Sequence, residues 1–176
     1  LGKGLYGNCL LALNAATGKL IWHFQTVHHD VWDMDVPTPP ALVTVTRNGE
    51  KIDAVAQTTK TGLVFVFDRE TGTPLFPIEE RPVLTNTNLM KEKLWPTQPF
   101  PVLPKPFARH TLTENDLNNI NTSDSSYEDL KKRYRASRAG NIFTPPSIEG
   151  TIVFPGYDGG GEWGGPTVDP KTNILY

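Results

Sequence analysis

Three times along this chain the same short pattern recurs: an apolar run, an Asp or Asn, a few further residues, Thr-Gly or a stand-in for it, and a second apolar run. The copies are Leu10-Leu11-Ala12-Leu13-Asn14-Ala15-Ala16-Thr17-Gly18-Lys19-Leu20-Ile21-Trp22, Val64-Phe65-Val66-Phe67-Asp68-Arg69-Glu70-Thr71-Gly72-Thr73-Pro74-Leu75-Phe76, and Thr167-Val168-Asp169-Pro170-Lys171-Thr172-Asn173-Ile174-Leu175-Tyr176. Each reads as a β-hairpin, because an Asp or Asn side chain can bond the backbone just ahead of it while Gly or Asn supplies the positive φ that closes the turn. Thr17, Thr71 and Thr172 are spaced by 54 and 101 residues, one and two periods of about 50. A period of roughly 40–50 residues holding several short strands is the mark of propeller blades. The chain is therefore predicted to be all-β, about three blades of a β-propeller.

Composition removes the main rivals to that fold. Gly and Pro fill 31 of 176 positions; an interior Pro costs a helix about 3 kcal/mol and a Gly about 1, so a helical bundle or coiled coil is excluded. Seventeen basic and 19 acidic residues leave a net charge of -2, which gives no electrostatic reason to expect nucleic acid as a partner. No apolar run reaches the roughly 18 residues of a membrane span. Cys9 stands alone, so it offers neither an intramolecular disulfide nor a Cys-rich zinc site. The chain opens at Leu1 and stops at Tyr176 in what reads as a strand, and it is expected to be part of something larger.

Residues 78–140 interrupt the repeat and are expected to form an insertion or long surface excursion. Trp95-Pro96-Thr97-Gln98-Pro99-Phe100-Pro101 and Pro104-Lys105-Pro106 favour extended or polyproline backbone. A short helix should follow, with Ser125 and Glu128 at capping-box spacing and Tyr127, Leu130 and Tyr134 on one face. The run Lys131-Lys132-Arg133 with Arg135 reads as the solvated side of that helix.

The densest polar chemistry is His28-His29-Asp30-Val31-Trp32-Asp33-Met34-Asp35. If the segment is extended, Asp33 and Asp35 share one face with Val31, and Trp32 shares the other with Asp30. Carboxylates that close require solvent, a counter-ion or a metal between them, or one of them must hold its proton more tightly. The residues alone leave two readings open: loop-capping side chains at a blade crossover, or the setting of a tuned general base. Adjacent histidines make a poor zinc site. Gly159-Gly160-Gly161 is followed by no Lys-Ser or Lys-Thr, so a nucleotide loop is not indicated.

The segment from His23 to Pro37, taken with Thr59-Lys60-Thr61-Gly62 and Phe67-Asp68-Arg69-Glu70-Thr71-Gly72, resembles the pyrroloquinoline-quinone (PQQ) dependent dehydrogenases, specifically their glucose dehydrogenase-like branch. The likeness resumes at Glu79-Glu80-Arg81-Pro82-Val83, Pro96-Thr97-Gln98-Pro99-Phe100, Phe143-Thr144-Pro145-Pro146-Ser147 and Glu162-Trp163-Gly164-Gly165, so it covers essentially the whole chain. The resemblance implies a single propeller domain, eight-bladed when intact, that holds PQQ and a divalent cation (Ca2+, with Mg2+ as the variant) near its axis. It also implies a periplasmic oxidoreductase that acts on an aldose such as glucose and passes electrons to a quinone or a cytochrome. A PQQ-dependent alcohol or polyol dehydrogenase is the alternative within the family, and a non-catalytic propeller scaffold the alternative outside it. Membrane association would come through regions beyond these residues, and the isolated blades, with open sheet edges, are expected to be inactive.

By the same resemblance Asp33 falls on the catalytic base and on a weak metal ligand, Lys60 on the cation that contacts the quinone, and Trp163 on an indole directed at the cofactor. Trp22 matches the tryptophan-docking position between neighbouring blades, with Phe76 in its place in the second copy. Tyr157-Asp158 stand where a polar amide is usual. Without the resemblance Lys60 would read as an ordinary turn lysine, and Trp163 would serve as well for blade packing.

Overall fold

A computed structural model describes residues 2–89, 91–119 and 123–176. Its strands are β1 (Cys9–Leu13), β2 (Leu20–Gln25), β3 (Ala41–Arg47), β4 (Glu50–Thr58), β5 (Val64–Asp68), β6 (Ile78–Pro82), β7 (Thr97–Pro101), β8 (Val168–Asp169) and β9 (Ile174–Leu175). They pair antiparallel as β1-β2, β3-β4-β5, β6-β7 and β8-β9.

All three repeats close in the same way. Asn14 Oδ1 accepts from the backbone N–H of Ala16 and Thr17. Asp68 Oδ1 accepts from those of Glu70 and Thr71, and Asp169 Oδ1 from that of Lys171. The residue that ends each turn has positive φ: Gly18 at 68°, Gly72 at 71° and Asn173 at 54°. In the second copy the returning strand shortens to the bridge Phe67–Pro74 and the bond from Leu75 N to Val66 O.

In the middle sheet β5 and the second half of β4 are buried on both faces, and their alternation shows why. Val55, Phe65 and Phe67 point to one side, where they meet Leu10, Trp22 and Phe24 of the first hairpin. Ala54, Ala56, Val64 and Val66 point to the other, against Val43, Phe76 and Leu175. A strand sandwiched between neighbouring layers must be apolar at consecutive positions, and Val64-Phe65-Val66-Phe67 is such a run. Trp22 locks the first interface: its Nε1 donates to Arg69 O at 3.1 Å, and a Cβ added to Gly72 would lie 2.6 Å from the indole. Trp22 thus docks between successive hairpins as expected, and Phe76 packs into the next interface without a comparable hydrogen bond.

Two local expectations are corrected. Thr97–Pro101 has the extended backbone expected of it, but as strand β7 paired with β6 and not as a surface excursion, with Gln98 fully buried. A two-stranded sheet has only edge strands, and an edge tolerates the missing N–H groups of Pro99 and Pro101. Helix α1 (Asp124–Ala136) is capped by Ser123, whose hydroxyl accepts from Ser126 N, two residues earlier than the Ser125–Glu128 capping box. Tyr127, Leu130 and Tyr134 are its half-buried face, and Lys132, Arg133 and Arg135 are exposed. No described helix is long and apolar enough to cross a membrane.

Candidate active site

Two segments far apart in sequence meet at one lysine. The turn from β4 to β5 is Thr59-Lys60-Thr61-Gly62, closed by Gly62 N donating to Thr59 O at 2.9 Å. Within it Thr59 Oγ1 lies 2.6 Å from Thr61 Oγ1 and donates to Leu63 O. Lys60 is buried, which rules out an ordinary surface turn lysine. Its Nζ stands 2.6 Å from Asp35 Oδ1, 3.3 Å from Asp33 Oδ2, 3.2 Å from Asp33 O and 3.8 Å from Glu162 Oε1. The counter-ion between the two aspartates is therefore this ammonium. The Asp35 carboxylate, with Asp33 behind it, holds the Lys60 ammonium above the ordinary lysine range against the opposing pull of burial.

The alternation expected for residues 30–35 holds only in part. Trp32 and Met34 are buried while Asp33 and Asp35 face Lys60. Val31, however, packs against the core with Trp32 rather than sharing the aspartate face. The backbone is not a strand here: His29 and Asp33 have φ of 45° and 62°. A left-handed non-glycine residue is unfavourable and persists only where its surroundings fix it. Both neighbours of Asp33 are core anchors, and Trp32 Nε1 donates to Thr144 O at 2.7 Å.

The rest of the polar cluster is structural. Asp30 Oδ1 accepts from Trp32 N. The ring nitrogens of His28 meet Gln25 Oε1 at 2.6 Å and Glu80 Oε1 at 2.9 Å, and those of His29 meet Gly2 O and Glu92 Oε1 at 2.7 Å each. Loop-capping and the charged centre thus coexist, divided by residue: 28–30 hold the loop, and 33 and 35 face the lysine.

Several positioning groups have no local signal in the sequence. Gln98, from β7, grips the peptide backbone of His28 on both sides, accepting from His28 N at 2.8 Å and donating to His28 O at 2.7 Å. Gly160 N donates to Lys60 O at 2.7 Å and Gly161 N to Thr59 O at 3.1 Å. A Cβ on Gly159 would lie 2.7 Å from the Lys60 Cα, and one on Gly160 2.7 Å from the Gly62 Cα. The glycine run is thus a backbone clamp on the lysine turn. Beside it lies an open, largely apolar cleft of about 570 Å³ whose walls include Thr38, Phe107, Glu162 and Tyr176. Trp163 is 81% exposed among the residues of this chain and adjoins Glu162 in sequence.

The element of this cluster that suits a quinone's oxygens is the enclosed ammonium beside an open cleft, while its three carboxylates leave the cluster net negative. Lys60 has a side chain 9% exposed, while the carboxylates around it are 65% (Asp33), 49% (Asp35) and 37% (Glu162) exposed, so an enclosed cation sits behind partners that open to solvent. Asp35 Oδ1 is a buried oxygen whose one close partner is the Lys60 ammonium, 2.6 Å away. Among the described residues no three His, Cys, Asp or Glu side chains converge as a metal-binding group.

The family described as "PQQ: Glucose/ethanol/alcohol dehydrogenase, beta-propeller domain" matches residues 1–176, and the chain belongs to it. The chain is 42% identical over 97% of its length to the quinoprotein glucose dehydrogenase of Escherichia coli (strain K12), covering 21% of that protein. It is 40% identical over 98% of its length to quinoprotein glucose dehydrogenase A of Acinetobacter calcoaceticus, covering 22% of that protein. To the glycerol dehydrogenase large subunit of Gluconobacter thailandicus it is 36% identical over 96% of its length, covering 23% of that subunit. It therefore spans about a fifth of the length of these relatives. The crystal structure of the quinohemoprotein alcohol dehydrogenase from Comamonas testosteroni shares the fold, with TM-score 0.55 and 20% identity over 99% of this chain and 20% of that one.

Proposed function

We propose that the whole protein is a PQQ-dependent dehydrogenase that oxidises an aldose such as glucose at its C1 hydroxyl. The observation that carries this reading is the meeting of Asp33 with the buried Lys60, 27 residues away in sequence. When bound, PQQ supplies the hydride acceptor. Asp33 takes the hydroxyl proton as the C–H bond breaks, which a carboxylate within hydrogen-bond reach of the substrate can do. Lys60 would hold the quinone through its ammonium, the cation suited to the negative charge that hydride transfer delivers. Glycines 159–161 hold the turn that carries Lys60, and Trp163 would add an exposed indole to the residues that hold the cofactor. A divalent cation, Ca2+ or Mg2+, would take Asp33 as one ligand, with its others outside this chain. Electrons leave to a quinone or a cytochrome, in the periplasm.

A polyol or primary alcohol is the second reading, supported by the likeness to a glycerol dehydrogenase subunit. A non-catalytic scaffold has no use for an enclosed ammonium ringed by three carboxylates, whose desolvation is costly. The test is to reconstitute the full-length protein with PQQ and Ca2+ and to assay aldoses, polyols and primary alcohols with an artificial electron acceptor. Turnover of glucose above the others supports the aldose reading; turnover of polyols alone replaces it with the second. Absence of turnover together with no retained PQQ overturns both.

A further inference from the structure

The four carbonyls of the Thr59–Gly62 turn all accept hydrogen bonds from beyond the turn. Gly161 N donates to Thr59 O at 3.1 Å, Gly160 N to Lys60 O at 2.7 Å and Phe107 N to Gly62 O at 2.9 Å. The Thr61 carbonyl is served differently, by the imidazole of His110, whose Nε2 lies 2.8 Å away. Because a carbonyl only accepts, this contact fixes the proton on Nε2. Among the four donors His110 is the one side chain, so its bond depends on residue type and the others on backbone alone.

We propose that His110 is a positioning residue for the cofactor-binding lysine: its Nε2–H holds the Thr61 peptide and thereby sets the direction in which Lys60 presents its ammonium. The inference rests on the reading of Lys60 as the quinone contact. Thr61 and Thr59 are both fully buried, so this peptide has no solvent to turn to if the donor is lost. Thr61 follows Lys60 directly, and a rotation of the Thr61 carbonyl toward another donor turns the chain that carries Nζ.

The loop that delivers His110 is anchored without it. Arg109 Nη1 donates to Asp116 Oδ1 at 2.6 Å, Thr111 bridges Asn141, and Tyr134 Oη donates to Leu112 O at 3.0 Å. Replacing the imidazole therefore removes one donor and leaves the loop in place. Burial also holds the imidazole below the ordinary histidine range, so it is neutral at pH 7 and adds no second cation beside Lys60.

The test compares His110→Leu, close to histidine in size but without a donor, with His110→Gln, whose amide nitrogen reaches nearly as far as Nε2, both in the full-length enzyme. Three quantities are read: the PQQ dissociation constant, hydrogen exchange of the 59–63 amides in the cofactor-free protein, and KM for the sugar. His110→Leu is expected to weaken PQQ binding by about tenfold, the cost of one lost buried hydrogen bond, and to speed exchange in the turn. KM should stay within about twofold, and His110→Gln should restore both other readouts. The inference is overturned if His110→Leu binds PQQ like the wild type, or if Leu and Gln fail alike while melting temperature falls in parallel. Lys60→Ala serves as the control: if it leaves PQQ binding unchanged, the reading of Lys60 fails and this inference with it, whereas an effect of Lys60→Ala without one of His110→Leu removes His110 alone.

Discussion

Trp22 lies against Gly72, 50 residues ahead of it, closely enough that the first side-chain atom of any other residue would stand 2.6 Å from the indole. Gly18 occupies the same turn position in the first hairpin, also with positive φ, but nothing lies within 4 Å of the space its Cβ would fill. The pair separates two costs that a turn glycine can carry. In this segment taken alone, Gly18→Ala should destabilise by about 1 kcal/mol, the conformational term without a packing term. Gly72→Ala adds overpacking against Trp22 and should lose about 2–4 kcal/mol in total. Chemical denaturation of the two variants checks the difference; equal losses would mean that the indole does not bear on Gly72.

The latch between Gln98 and His28 predicts a second effect. Gln98→Leu keeps the volume roughly constant but strands both backbone groups of His28 in the interior. Each unpaired buried group costs about 1–3 kcal/mol, so a loss of about 2–6 kcal/mol is expected. Because Asp33 lies on the same segment, substrate turnover should fall further than stability alone explains, by a factor measurable at saturating PQQ.

The glycine clamp gives a contrast within one loop. Gly160→Ala places a methyl 2.7 Å from the Gly62 Cα and 2.9 Å from its nitrogen, whereas Gly156→Ala meets nothing within 4 Å. The first should weaken PQQ binding by at least about tenfold through displacement of the Lys60 turn, and the second should leave it unchanged. Equilibrium titration of each full-length variant with PQQ decides the matter.

Acid stability should carry the mark of Asp116. The amide and hydroxyl of Thr113, then Arg109, lower its pKa from 3.8 to about 2. The folded value lies below the unfolded one, so the stabilisation is complete above about pH 4 and is lost as pH falls toward 2. Asp116→Asn removes the titration. Denaturant unfolding at pH 5 and pH 2.5 should therefore show a smaller loss of stability in the variant than in the wild type.

How much of this was legible beforehand follows the range of each interaction. The hairpins were readable because Asn14, Asp68 and Asp169 bond amides two or three residues away, a relation that sequence spacing displays directly. The pairing of Asp33 with Lys60 came only from resemblance, since nothing local to either residue points to the other. Gln98, Thr144 and Gly160 escaped notice as positioning groups for the same reason: their partners lie between 70 and 112 residues away. The extended backbone of β7 was legible but its pairing was not, because proline content argues against a strand while the two-stranded sheet that admits it is a tertiary fact. The helix was found but its cap misplaced, as two serines in adjacent alternate positions offer the same chemistry.

The central claim is that Asp33 moves the proton and Lys60 holds the cofactor, two separable tasks at one centre. The most direct test is Asp33→Asn in the full-length enzyme loaded with PQQ, with kcat and the bound-cofactor stoichiometry measured on the same sample. A fall in kcat of about 10²–10⁴ with PQQ still bound is the predicted result. An unchanged kcat, or the release of PQQ as the sole effect, would contradict it.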